Sequence, residues 1–80
     1  MTKVQYEFNV VRNGLHVESF TDVQEALDCF KLDAYYKFVV RFLKRNEYGC
    51  LYLADYETFY KEDIKDIQRF EELMIKCFGN

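Results

Sequence analysis

The chain contains a single histidine, His16, and a single serine, Ser19. One imidazole cannot supply a histidine metal cluster or a proton-shuttling pair, and a base with no nucleophile beside it has no task. Ser19 lies outside any G-x-S-x-G context, so serine hydrolysis is not expected. Cys29, Cys50 and Cys77 are odd in number and widely spaced, without a C-x-x-C pair, and read as reduced structural thiols. Carboxylates are plentiful, among them Glu7, Glu18, Asp63, Asp66, Glu71 and Glu72, but acid–base work needs two of them held in a cleft with separated pKa values. Gly14, Gly49 and Gly79 each suit a turn or a helix end, leaving no glycine for a phosphate loop. No catalytic residue, metal ligand or cofactor is expected.

The richest segment for binding is Lys37-Phe38-Val39-Val40-Arg41-Phe42-Leu43-Lys44-Arg45. Read as a strand, it places Lys37, Arg41 and Arg45 in a row with Val39 and Leu43 between them and Tyr35 at one end. Such a row can meet phosphates, an acidic protein surface or a second copy of itself. Phe38-Val39-Val40-Arg41-Phe42 resembles the end of the RNA-recognition-motif consensus, but the glycine-containing half that should precede it is missing, and the element order differs from βαββαβ. An acidic helical surface with Glu62, Asp66 and Glu72 forms a second candidate, able to imitate phosphates toward a basic site.

These residues need elements to hold them. Lys3 to Arg12 alternates, with Val4, Tyr6, Phe8 and Val10 on one face. Asn13-Gly14 predicts a two-residue type I′ turn. Counting back from that turn pairs Val10 with Val17, Phe8 with Ser19 and Asn9 with Glu18, and sets His16 on the outer face opposite Val11. Thr21, with Gln24 three residues on, reads as a helix start, and Val23, Ala26, Leu27 and Phe30 form its apolar stripe before an end near Leu32. Tyr35 to Arg45 alternates again, with Tyr36, Phe38, Val40 and Phe42 inward. Asn46-Glu47-Tyr48-Gly49 predicts a type I turn with Gly49 in the left-handed region. In the returning strand Arg41 would face Asp55 and Phe42 would face Ala54, unless a bulge shifts the register by one residue. Residues 56–60 fit both a strand and the start of a helix. The helical stripe, with Asp55 as its cap, is preferred, giving a last helix from within Tyr56–Glu62 through Phe78.

The expected fold is therefore α+β, one two-layer domain over residues 1–80. Its order is ββαββα, with a four-stranded, mainly antiparallel sheet and both helices on one face. Eighty residues are too few for two cores, and half of them are apolar, with eight Phe and seven Tyr to fill one. No stretch is apolar enough to span a membrane and no leader is recognisable, so a cytoplasmic location is expected. The net charge of −3, mixed along the chain, disfavours nucleic-acid binding through residues 37–45 relative to protein binding. AT-rich codons and the absence of proline are shared with many bacterial and phage genes. The expected role is a non-enzymatic protein-binding module, of the kind a phage or mobile element uses to inhibit a host enzyme or defence complex. The alternatives are a nucleic-acid-binding accessory protein and a structural homodimer. The surface assigned to the partner comprises Tyr35, Lys37, Val39, Arg41 and Leu43 on one side, and Glu62, Asp66 and Glu72 on the other.

Overall fold

The structure, a computed structural model, describes residues 5–12 and 16–79. The elements follow the expected order: β1 (Gln5–Arg12), β2 (His16–Phe20), α1 (Val23–Phe30), β3 (Tyr35–Arg45), β4 (Leu51–Tyr60), a single 3₁₀ turn (Lys61–Asp63) and α2 (Ile67–Phe78). The strands form one antiparallel sheet in the order β2-β1-β3-β4. Both helices cover one face of it. Phe8, Val10, Phe38 and Val40 from the central strands meet Val23, Ala26, Leu27 and Phe30 of α1 and Phe70 and Met74 of α2 in one core.

Aromatic rings knit the two layers. Phe38 is fully buried, with ring centroids 5.9 Å from Phe8, 5.4 Å from Phe30 and 5.8 Å from Phe70. Phe78 closes the other end against Tyr6, Phe8 and Phe42, with centroids 5.1 to 5.9 Å away. These are edge-on or tilted spacings, which the ring quadrupole favours over face-to-face stacking.

The first hairpin is shifted by one residue from the expected register. Arg12 pairs with His16, Val10 with Glu18 and Phe8 with Phe20, and the anticipated two-residue turn at Asn13-Gly14 lies outside the described residues. A one-residue slip exchanges the faces of a strand, and the hydrophobic pattern decides which register holds. In the observed one Phe20 packs against the core, while Ser19 turns outward and donates to Asn9 Oδ1 at 2.9 Å. Val17 is consequently exposed rather than buried.

Two irregularities reset the second half of the sheet. A bulge in β3 lets Arg12 pair with Tyr35 while Val11 pairs with Lys37, so Tyr35, not Tyr36, turns into the core. A second bulge, at Ala54, separates the pairs Phe42–Asp55 and Leu43–Leu53. Arg41 therefore faces Tyr56 rather than Asp55. The turn between these strands has the expected form: Gly49 sits at φ +82°, its N–H donates to the Asn46 carbonyl, and Asn46 Oδ1 accepts from the amides of Tyr48 and Cys50.

The largest departure is that residues 56–60 belong to β4 and not to the last helix. Tyr56-Glu57-Thr58-Phe59-Tyr60 is rich in aromatic and β-branched side chains, and pairing with residues 37–41 satisfies the backbone of β3 along that side. Phe59 still reaches the core, 5.2 Å from the Phe70 ring, from a strand rather than a helix. Local helix caps move accordingly. Asp22, not Thr21, accepts from the Gln24 amide at the start of α1, and Asp66, not Asp55, accepts from the Gln68 and Arg69 amides at the start of α2. Gly79 ends α2 in an extended conformation, not a left-handed one. There a Cβ would lie 2.5 Å from the Ile75 carbonyl oxygen.

This cap assignment is testable by urea denaturation. Replacing a capping Asp by Ala costs about 1 kcal/mol, so Asp66→Ala should lower stability by about that amount, whereas Asp55→Ala should stay within about 0.5 kcal/mol. The reverse order would restore the longer helix.

Candidate functional site

The helices leave the other face of the sheet uncovered. Antiparallel partners share a face, so the pairings define this surface as rows running across the strands. One row holds Val17, Val11, Lys37 and Tyr60; the next holds Ser19, Asn9, Val39 and Thr58; the third holds Glu7, Arg41 and Tyr56. Beyond the Ala54 bulge, Leu43 stands beside Leu53 and Arg45 beside Leu51. Leu51, Leu53, Tyr56 and Tyr60 are all exposed, Tyr56 to 61%. Val39 and Leu43 are half-buried between their neighbours. An apolar stripe thus follows the β3–β4 seam.

Three of the four cations of β3, Lys37, Arg41 and Arg45, share this face, but each is engaged differently. Arg41 Nη1 donates to Glu7 Oε1 at 2.6 Å near the centre, with about a third of each side chain exposed. Lys37 lies over the Tyr60 ring, 5.8 Å from its centroid. Arg45 Nη1 donates to the Gly49 carbonyl at 2.7 Å. Only Arg41 is paired with a carboxylate. Asp55 and Glu57, opposite Phe42 and Val40, turn toward the helix side and do not neutralise the row from β4.

Of the residues expected to meet a partner, Lys37, Val39, Arg41 and Leu43 therefore lie together on one open surface. Tyr35 does not. It is 7% exposed and belongs to the core, where the Cys29 thiol bonded to it, and then burial, push its phenol above the ordinary value of 10.0. Glu62, Asp66 and Glu72 are exposed on the 3₁₀ turn and α2. Asp66 is committed to capping α2, and Glu62 stands beside Tyr36 and Tyr60 at a shallow cavity of about 180 Å³. Glu71 finds its partner within the chain: it pairs with Lys31 between the two helices and thereby raises the lysine pKa.

Residues 51–60 supply most of the exposed apolar surface, and reading residues 56–60 as helix hid it. Their alternation (Tyr56, Thr58, Tyr60) was the available signal, and the bulge that also brings Leu51 and Leu53 to this face had no mark in the sequence. Val17 was missed through the hairpin register.

The remaining groups form no reactive constellation among the described residues. His16 bonds Glu18 at 2.6 Å, with both side chains half exposed. A second open depression of about 230 Å³ is lined by Glu7, Ser19, Phe20, Thr21 and Glu25. Both depressions fall below the roughly 300–1,000 Å³ usual for small-molecule sites. No three His, Cys, Asp or Glu side chains among the described residues are placed to share a metal ion. No helix there is long and apolar enough to cross a membrane.

The environment of Tyr35 predicts an alkaline limit to stability. Because its folded pKa is raised, its contribution is complete below the unfolded value of 10.0 and is lost as pH climbs from there through the folded value. Tyr35→Phe should therefore flatten the fall in urea midpoint above about pH 10. An unchanged slope would show that the phenol is not held by Cys29 and burial.

Compared with known proteins, the chain matches no family model, no curated protein sequence and no solved structure, so its role is read from its own surface.

Proposed function

We propose that this chain is a protein-binding module that recognises its partner with the uncovered face of its sheet. The observation that carries this reading is the β3–β4 stripe, in which exposed Leu51, Leu53 and Tyr56 adjoin half-buried Val39 and Leu43. Single exposed apolar residues are ordinary, but contiguous ones on a flat face mark interaction surfaces. Aromatic side chains such as Tyr56 and Tyr60 supply large contact area at small entropic cost. A module of this kind works by occupying a surface, as an inhibitor of a host enzyme or defence complex encoded by a phage or mobile element would.

Nucleic-acid binding through residues 37–45 has weaker support. Affinity for phosphates scales with the number of free cations, and Arg41 already holds Glu7. Phosphate mimicry by the acidic surface is weakened in turn, because Asp66 is a helix cap.

The test uses tagged wild-type protein, the variant Leu53→Lys with Tyr56→Lys, and Leu73→Lys as a control on an exposed position of α2. After circular dichroism shows that each is folded, they are incubated with nuclease-treated native lysate. The wild type and Leu73→Lys should retain one stoichiometric protein, and the double variant should lose at least about tenfold of it, or about 1.4 kcal/mol. Loss only with Leu73→Lys would transfer binding to the helical side, and retention of nucleic acid alone from untreated lysate would contradict the reading.

A further inference from the structure

The uncovered face differs in charge from the rest of the molecule. Among its described residues Lys37, Arg41 and Arg45 stand against one carboxylate, Glu7, whereas the whole chain carries −3. With Arg41 matched to Glu7, the cations left without a carboxylate are Lys37 and Arg45, at opposite ends of the apolar stripe. At about 3.3 Å per residue they lie roughly 26 Å apart along β3.

The sheet edges are poorly suited to taking another strand. β2 is only five residues long. β4 is longer but carries the Ala54 bulge, and Asp55 and Glu57 turn to the helix side. Short edges, bulges and inward-pointing charges are the devices that discourage strand addition. Docking must then use side chains on the face. An extended segment lying across those side chains would leave its own backbone groups without partners, whereas a helix satisfies them internally. A second copy presenting this same face would bring further unneutralised lysine and arginine charge against Lys37 and Arg45.

From these features we infer that the occupant of the face is an amphipathic helix of a partner protein, about 18 residues long, with an apolar stripe and acidic side chains toward both ends. The length follows from the spacing of the cations: 26 Å at about 1.5 Å per residue is 17 to 18 residues. The acidic ends meet Lys37 and Arg45, and the apolar stripe lies on Val39, Leu43, Leu53 and Tyr56. The helix becomes a third layer, opposite α1 and α2. This inference rests on the outer face being the binding surface and adds the chemistry of what binds there.

The test uses two synthetic helical peptides of about 18 residues that share a leucine stripe, one with Glu and one with Lys toward both ends. Binding is read by fluorescence anisotropy and mapped by backbone amide shifts of the full-length protein. The Glu peptide should bind at least about tenfold more tightly than the Lys peptide and shift residues of β3 and β4. The variant Lys37→Glu with Arg45→Glu should reverse that preference, which also separates charge matching from any loss of stability. Equal binding of both peptides on the outer face, or binding of neither while Leu53→Lys with Tyr56→Lys still abolishes capture of the native partner, would overturn the acidic helix and leave the protein-binding face standing. Shifts confined to α1 and α2 would overturn both. An oligonucleotide that displaces the Glu peptide and loses affinity in the Lys37→Glu, Arg45→Glu variant would overturn the inference in favour of a phosphate backbone. A dimer in sedimentation equilibrium that buries Leu53 and Tyr56 would overturn it in favour of a second copy.

Discussion

The pairing of β3 on both sides along nearly its whole length is the constraint on which the rest of the structure depends. β1 and β4 flank it, and its alternation divides the molecule into two unlike surfaces. Phe38 and Val40 point to the helices and are fully buried, which fixes the core layer and commits α1 and α2 to that side. Lys37, Val39, Arg41 and Leu43 must then point the other way, because successive strand residues cannot share a face. A single strand therefore builds the hydrophobic core and the proposed binding surface together. The half-exposed Arg41–Glu7 pair contributes little to stability, of the order of 1 kcal/mol or less. Its effect is to settle the charge at the centre of the face while Lys37 and Arg45 remain unneutralised at its ends.

The bulge at Ala54 has consequences on both sides of the sheet. It moves Leu53 and Leu51 into line with Leu43 and Arg45, which extends the outer apolar stripe, and it turns Asp55 inward opposite Phe42. The same irregularity thus enlarges the uncovered apolar face and blunts the edge beside it. A flat sheet with an open ten-residue edge would recruit other strands indiscriminately; the bulge and the inward Asp55 and Glu57 discourage that here.

Much of this was legible in the sequence. Alternation and helical spacing predicted the number and order of the strands and helices, and Gly49 marked its turn correctly, because burial at period 2 or 3.6 and a positive φ leave direct traces in residue type. The unread parts share one cause, which is dependence on distant partners. Counting back from Asn13-Gly14 set Ser19 on the buried face, yet Phe20 had to reach the core, and that need set the register. Residues 56–60 carry a good helical stripe. The open side of β3 claimed them as a strand, a requirement invisible from residues 56–60 themselves. Tyr35 was expected outside, and a one-residue bulge buried it. The cationic half of the candidate surface was readable from β3 alone, whereas its apolar half on β4 emerged only with the strand assignment and the bulge.

The central claim, that the uncovered sheet face is the working surface, is tested most directly by oxidative footprinting of the protein in native extract against the purified protein. Protection should concentrate at Leu53, Tyr56 and Tyr60, while Tyr48 in the β3–β4 turn and Leu73 on α2, both exposed in the free chain, remain as reactive as before. Protection of Leu73 and Ile75 with an unchanged outer face would contradict the account and place the working surface on the helices.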